Sequence, residues 1–139
     1  MREYRFRGKR LSDGKWCEGF LTVVFEHTYI ERANEDEICF RFLVDPKTVG
    51  QFTGLKDRNC KRIFEGDIFS VTWSAKDRTP VVKTFVAVFK NGCFYARAFN
   101  GNQIVATIAN YANCRKVGDT GVFVEVIGNI HDNPELLEE

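Results

Sequence analysis

Val81-Val82-Lys83-Thr84-Phe85-Val86-Ala87-Val88-Phe89, followed after Lys90 by Asn91-Gly92 and then by Cys93-Phe94-Tyr95-Ala96-Arg97-Ala98-Phe99, decides the fold. Both runs are crowded with β-branched and aromatic residues, which suit a pleated, half-buried backbone better than a helix. Asn91-Gly92 stands between them, and both residues accept the positive φ of a tight primed turn. The segment reads as an antiparallel β-hairpin, and a wholly helical chain is hard to reconcile with it.

Moving toward the N-terminus, Ile68-Phe69-Ser70-Val71-Thr72-Trp73 places Phe69, Val71 and Trp73 on one face if extended, and a charged turn around Lys76-Asp77-Arg78 separates it from the hairpin. Thr48 to Gly66 has a different character, with Gly50, Gly54 and Gly66 among polar residues. It reads as a packed, irregular connection with Val49, Phe52, Leu55, Ile63 and Phe64 as anchors and a turn at Asp57-Arg58-Asn59-Cys60. Ile38 to Val44 reads as a strand stopped by Asp45-Pro46, since proline has no N–H for the ladder. Tyr4 and Phe6 alternate with Arg5 and Arg7. Asp13-Gly14 then turns the chain into a run from Trp16 to Phe25, giving an opening hairpin. Residues 27–31 extend it as another short strand, and Glu31 to Glu37 form a polar loop.

Toward the C-terminus, residues 103–112 are ambiguous. Ile104, Ile108 and Tyr111 have a loosely helical spacing, whereas Val105 and Thr107 favour extension, and the choice stays open. Val122 to Ile127 is the last strand, and Pro134-Glu135 suits the start of a short helical turn. The expected fold is mainly β, an antiparallel, partly barrel-like sheet with short helical decorations, in a single domain over residues 1–139.

Composition supports a globular chain with one core: of 139 residues, 44% are hydrophobic and 28% charged, and Phe occurs 13 times. No apolar run approaches the roughly 20 residues that cross a hydrocarbon layer. The N-terminus lacks the continuous apolar stretch of a secretory signal, so a cytoplasmic protein away from the membrane is expected. Five cysteines are scattered singly, an odd number without metal-knuckle spacing, which fits a reducing compartment. Net charge is +1 but unevenly spread. Arg2, Arg5, Arg7, Lys9 and Arg10 face only Glu3 within the first ten residues, while Glu125, Asp132, Glu135, Glu138 and Glu139 close a stretch without Lys or Arg.

Several residues invite chemistry without supplying a complete site. Gly50 to Gly54 lacks the glycine spacing and the Lys-Ser/Thr pair of a phosphate loop, so structural turns are expected there. Glu65-Gly66-Asp67 brings two carboxylates close, the beginning of a magnesium or hydrolase argument. No further ligands accompany them, and a tight turn with Asp67 accepting local backbone bonds is the simpler reading. His27 has no nucleophile beside it, and His131-Asp132 fits a terminal turn. Cysteines without a charge-stabilising setting read as small hydrophobes. No catalytic, cofactor-binding or metal-ligating residue is therefore expected.

Three segments together carry a family resemblance: Val49 to Asp57, Ile63-Phe64-Glu65-Gly66-Asp67-Ile68, and Val126-Ile127-Gly128-Asn129-Ile130-His131-Asp132-Asn133-Pro134-Glu135-Leu136-Leu137. With Met1-Arg2-Glu3, Phe6-Arg7, Trp16 and Gly19, they make the chain resemble the YopX family of bacteriophage and prophage proteins over nearly its full length, least over residues 74–120. The resemblance implies a mostly β protein encoded by a phage or integrated element, made in the bacterial cytoplasm, with no established reaction. Asn59-Cys60 departs from the family's usual Asn-Gly, and His131 stands where an aromatic residue is more usual.

The function these readings favour is a non-catalytic accessory domain that mediates protein interaction or self-assembly. Its partner would be a phage or host protein or a second copy, met through the surface from Asp45 to Asp67 and an exposed sheet edge. The alternative is nucleic-acid binding by Arg2, Arg5, Arg7, Lys9 and Arg10 with Tyr4 and Phe6, extended by Lys56, Arg58, Lys61 and Arg62. A third reading, metal-assisted phosphodiester hydrolysis by Glu65 and Asp67, is expected to fail an activity assay.

Overall fold

Alternation of apolar and polar residues makes the described residues mostly antiparallel strands, with two short 3-10 turns among them. The computed structural model describes residues 3–33, 39–74, 79–98, 104–108 and 121–137. Arg2, most of the polar loop before Ile38 and Ile38 itself lie outside those residues, as do the turn at Lys76-Asp77-Arg78, Phe99, Tyr111, Cys114 and the last two glutamates. The chain divides into two compact units, Met1–Phe52 and Thr53–Glu139.

In the first unit, β1 (Phe6–Lys9), β2 (Trp16–Val24), β3 (His27–Ala33) and β4 (Cys39–Leu43) are joined by the opening residues of β5 (Gly50–Lys56). Their order is β4-β3-β2-β1-β5, with Phe6 opposite Gly19 and Gln51, and Ile30 between Leu21 and Phe42. The period-two pattern sends Phe6, Cys17, Leu21, Ile30, Phe42 and Val44 to one face, where Cys17, Ile30 and Val44 are buried. Gly8 belongs to this face because a side chain there would press on Val44, its Cβ only 3.1 Å from Cγ2.

The turn expected at Asp13-Gly14 joins β1 to β2. Gly14 takes φ 70, and its N–H donates to the Arg10 carbonyl at 2.8 Å. Asp45-Pro46 ends β4 as read from the sequence. Asp45 accepts the Lys47 N–H at 3.0 Å, and the Thr48 hydroxyl accepts the Lys9 N–H at 2.9 Å, closing a 3-10 turn over Pro46–Thr48.

The second unit holds the remainder of β5 with β6 (Arg62–Phe64), and a five-stranded sheet of β7 (Asp67–Ser74), β8 (Val81–Lys90), β9 (Cys93–Ala98), β10 (Ile104–Thr107) and β11 (Gly121–Asn129). Its order is β10-β9-β8-β7-β11. Asn91 and Gly92 take φ 52 and 78, as the primed hairpin turn requires. A row of directly opposed residues, Val126, Phe69, Phe85 and Ala98, runs across four strands. Phe69, Val71 and Phe85 are buried with Ile63, Ala87, Ala96, Ile108 and Val124, and Trp73 packs against them.

Three readings of the sequence change. Glu31 to Ala33, read as the start of a polar loop, continue β3 and pair with Cys39 to Arg41 of β4. Residues 48–66 are not an irregular connection, since they contain β5 and β6. Gly50 and Phe52 are the inward positions of β5, and the Thr53 hydroxyl donates to the Ile63 carbonyl at 2.7 Å. The glycines masked this strand, and Gly54, at φ 86, occupies a conformation that side chains rarely adopt. Residues 104–107 settle as a strand. A register irregularity between Ile104 and Ala106 against β9 shifts the period there, which is why the spacing looked helical. The fold is mainly β and antiparallel as expected, with its strands ordered in two sheets, and Pro134–Leu137 forms the short helical turn.

The turn at Asp57 to Cys60 forms as expected, and its departure from Asn-Gly has a physical cost. Cys60 is held at φ 62, a left-handed position that glycine occupies without strain. Cys60→Gly is expected to raise stability by about 1 kcal/mol, the relief of Cβ strain exceeding glycine's added unfolded-state entropy. A urea titration with an unchanged slope and a higher midpoint would show it.

Candidate functional site

Most of the described basic residues near the N-terminus are engaged inside the first unit. Arg5 lies 3.1 Å from Glu3 and 3.6 Å from Glu18. Arg7 is largely buried with its guanidinium 4.7 Å from the centre of the Trp16 ring, and Lys9 lies 5.4 Å from the same ring. Arg10 donates two hydrogen bonds to Asp13, at 3.0 and 2.6 Å. Phe6 turns inward against the core, leaving Tyr4 as the exposed aromatic of that pair. A phosphate would have to compete with carboxylates and rings already in place. Lys56, Arg58, Lys61 and Arg62 belong to the second unit, where Arg58 lies 4.4 Å from the Phe123 ring centre.

The Lys15 backbone N–H, together with Arg10, holds the Asp13 carboxyl below its ordinary range. A carboxyl depressed by folding supports the fold above the ordinary carboxylate range, and that support is lost as pH falls. The β1–β2 turn is therefore expected to loosen on acidification.

Glu65-Gly66-Asp67 forms a turn. Gly66 takes φ 90, its N–H donates to Ala87 at 2.8 Å, and its carbonyl accepts from Ile130 at 2.9 Å. Asp67 is buried, and one of its oxygens accepts the Phe64 N–H at 2.7 Å. A second buried carboxylate, Asp57, was not read from the sequence as anything but a turn residue. Its Oδ1 accepts the N–H groups of Asn59 at 2.8 Å and Lys61 at 2.9 Å, and its Oδ2 accepts that of Val126 at 3.0 Å. The Arg58 N–H donates to the Val124 carbonyl at 2.8 Å. Asp57 and Arg58 thus cover two backbone groups of β11, the terminal strand of its sheet, as a neighbouring strand would.

His27 opens β3 with its ring 6.4 Å from that of Tyr29, and the His131 N–H donates to Asn129 Oδ1 at 3.0 Å in the terminal turn. Among the described residues no three His, Cys, Asp or Glu side chains gather as a metal would need. Cys17 is buried, and desolvation raises its pKa, which withholds the reactive thiolate; Cys60 is exposed. Limited iodoacetamide treatment followed by peptide mapping is expected to label Cys60 well before Cys17.

The least conventional surface is the β2–β3 turn. Val24 pairs with His27, leaving a two-residue loop of Phe25 and Glu26 at φ 46 and 68. These are primed-turn angles that Asn-Gly favours, whereas Phe and Glu meet a Cβ penalty there. Phe25 is 91% exposed, and Val23 and Phe20 of the same hairpin are each 65% exposed. Residues 17–31 contain Glu18, Glu26 and Glu31 without Lys or Arg. Glu18 is met by Arg5 and Glu31 by Arg41 at 2.8 Å, whereas no ion pair engages Glu26 among the described residues. This turn is not legible in the residues themselves, because Phe-Glu carries no turn chemistry.

The family model described as YopX protein matches residues 5–138. A solved structure titled as the crystal structure of protein EF1440 from Enterococcus faecalis is similar at 24% identity and a TM-score of 0.56, covering 99% of this chain and 99% of that one, a likeness of fold. No curated protein matches the sequence significantly. No helix among the described residues is long and apolar enough to cross a membrane.

Proposed function

Because the chain belongs to the YopX protein family, we propose that it is a non-catalytic accessory domain of a phage or prophage, acting in the bacterial cytoplasm by binding another protein. The observation that carries this reading is the apolar β2–β3 tip, with Phe25, Val23 and Phe20 turned to solvent on a hairpin whose Cys17 and Ile30 are buried. Exposed aromatics of this kind are the usual anchors of protein interfaces. Nucleic-acid binding through the N-terminal strand is disfavoured because Arg5 and Arg10 are already paired with carboxylates. Glu65 and Asp67 are placed for a turn, so hydrolysis has little to support it. The test is recovery of the tagged full-length chain from bacterial cytoplasm, with half the sample treated with nuclease. A stoichiometric protein that resists nuclease is the expected result; recovery that depends on DNA or RNA would replace this reading with the nucleic-acid one.

A further inference from the structure

We infer that the β2–β3 tip is an insertion anchor for a protein that presents an apolar pocket bordered by Lys or Arg, an inference that rests on the interaction reading and names its site. Three observations converge on the tip. Phe25 is almost fully exposed at the end of a hairpin, the geometry of a side chain that fills a pocket instead of joining a flat face. Phe25 and Glu26 both occupy left-handed backbone positions, so the tip conflicts locally with the fold that it closes. Asn-Gly would close the same hairpin without strain, so the identities of these two residues answer to something other than folding. Finally, Glu18 and Glu31 are met by Arg5 and Arg41, whereas among the described residues no ion pair engages the Glu26 carboxylate beside the exposed ring.

The charge selects the occupant. A carboxylate at the point of contact repels phosphate groups of nucleic acid and of anionic lipid, and favours a basic rim. Two tips meeting head to head would set one Glu26 carboxylate against another, which argues against a second copy as the occupant. A protein pocket with a cationic border satisfies both the ring and the carboxylate.

The probe is p-benzoylphenylalanine installed at position 25 of the tagged full-length chain and irradiated in the bacterial cytoplasm. One discrete protein adduct is expected, mapping to an apolar pocket with Lys or Arg at its edge and diminishing when Glu26→Lys is added. With that protein purified, the F25N/E26G variant is expected to bind about 30-fold more weakly or worse while its own urea midpoint rises. Adducts only with a second copy, with nucleic acid, or spread over abundant proteins would overturn the inference, as would a fall in the variant's midpoint. If F25N/E26G keeps the partner within about twofold of wild-type affinity, the interaction reading stands and the tip is not its site. If the wild-type chain recovers no stoichiometric protein, both fall together.

Discussion

Phe69→Ala is expected to lower the stability of the second unit by about 3–5 kcal/mol, the range for emptying a buried aromatic site. Phe69 lies in β7, between β8 and β11, fully buried, with its ring centroid 5.8 Å from that of Phe85. It is opposed by Val126 on one side and Phe85 on the other, so truncation opens a gap in the middle of a row that spans four strands. Hydrogen-bonded neighbours on both sides restrict collapse of that gap, which places the cost toward the upper end. Each unit contains one tryptophan, Trp16 in the first and Trp73 in the second. Urea unfolding of a Trp16→Phe chain, followed by Trp73 fluorescence, measures the effect where it arises. A loss below about 1 kcal/mol would contradict the packing described, because even one buried methylene is worth about that much.

Asp57→Ala is expected to cost about 2–4 kcal/mol, from losing three backbone hydrogen bonds to a charged acceptor, partly offset where water reaches the exposed Asn59 and Lys61. Asp57→Asn separates the contributions. An amide oxygen in place of Oδ1 keeps the bonds to Asn59 and Lys61, but the amide nitrogen then faces the Val126 N–H, donor against donor. About half the loss is expected for Asn, read from the same Trp73 titration. The alanine chain should also scatter more light at high concentration, because the Val126 N–H is uncovered at the sheet's terminal strand. Equal stability of Asn and Ala variants would mean that the Val126 bond carries the whole effect.

Much of the fold was legible from local chemistry. Asn91-Gly92 and Asp13-Gly14 named their turns, Asp45-Pro46 ended its strand, and alternation put Phe69, Val71 and Trp73 on one face. What failed did so for identifiable reasons. Glycines at 50 and 54 diluted the apolar pattern of β5, and the irregularity after Ile104 broke the period of β10. The tip at Phe25-Glu26 was illegible because a strained turn is defined by residues that do not belong in it. Asp57 looked like an ordinary turn residue; nothing local announces that one of its oxygens reaches Val126, 69 positions away.

That reach divides one side chain between two moments of folding. The Oδ1 contacts close loops of two and four residues, within reach of the earliest submicrosecond events, whereas the Oδ2 contact waits until β11 has come home across 69 residues. In a chevron plot, loss of the local bonds should slow refolding, and loss of the distant one should chiefly quicken unfolding. The two variants at this position would then place one carboxylate on both limbs of the kinetics, its near oxygen in the transition state and its far oxygen after it.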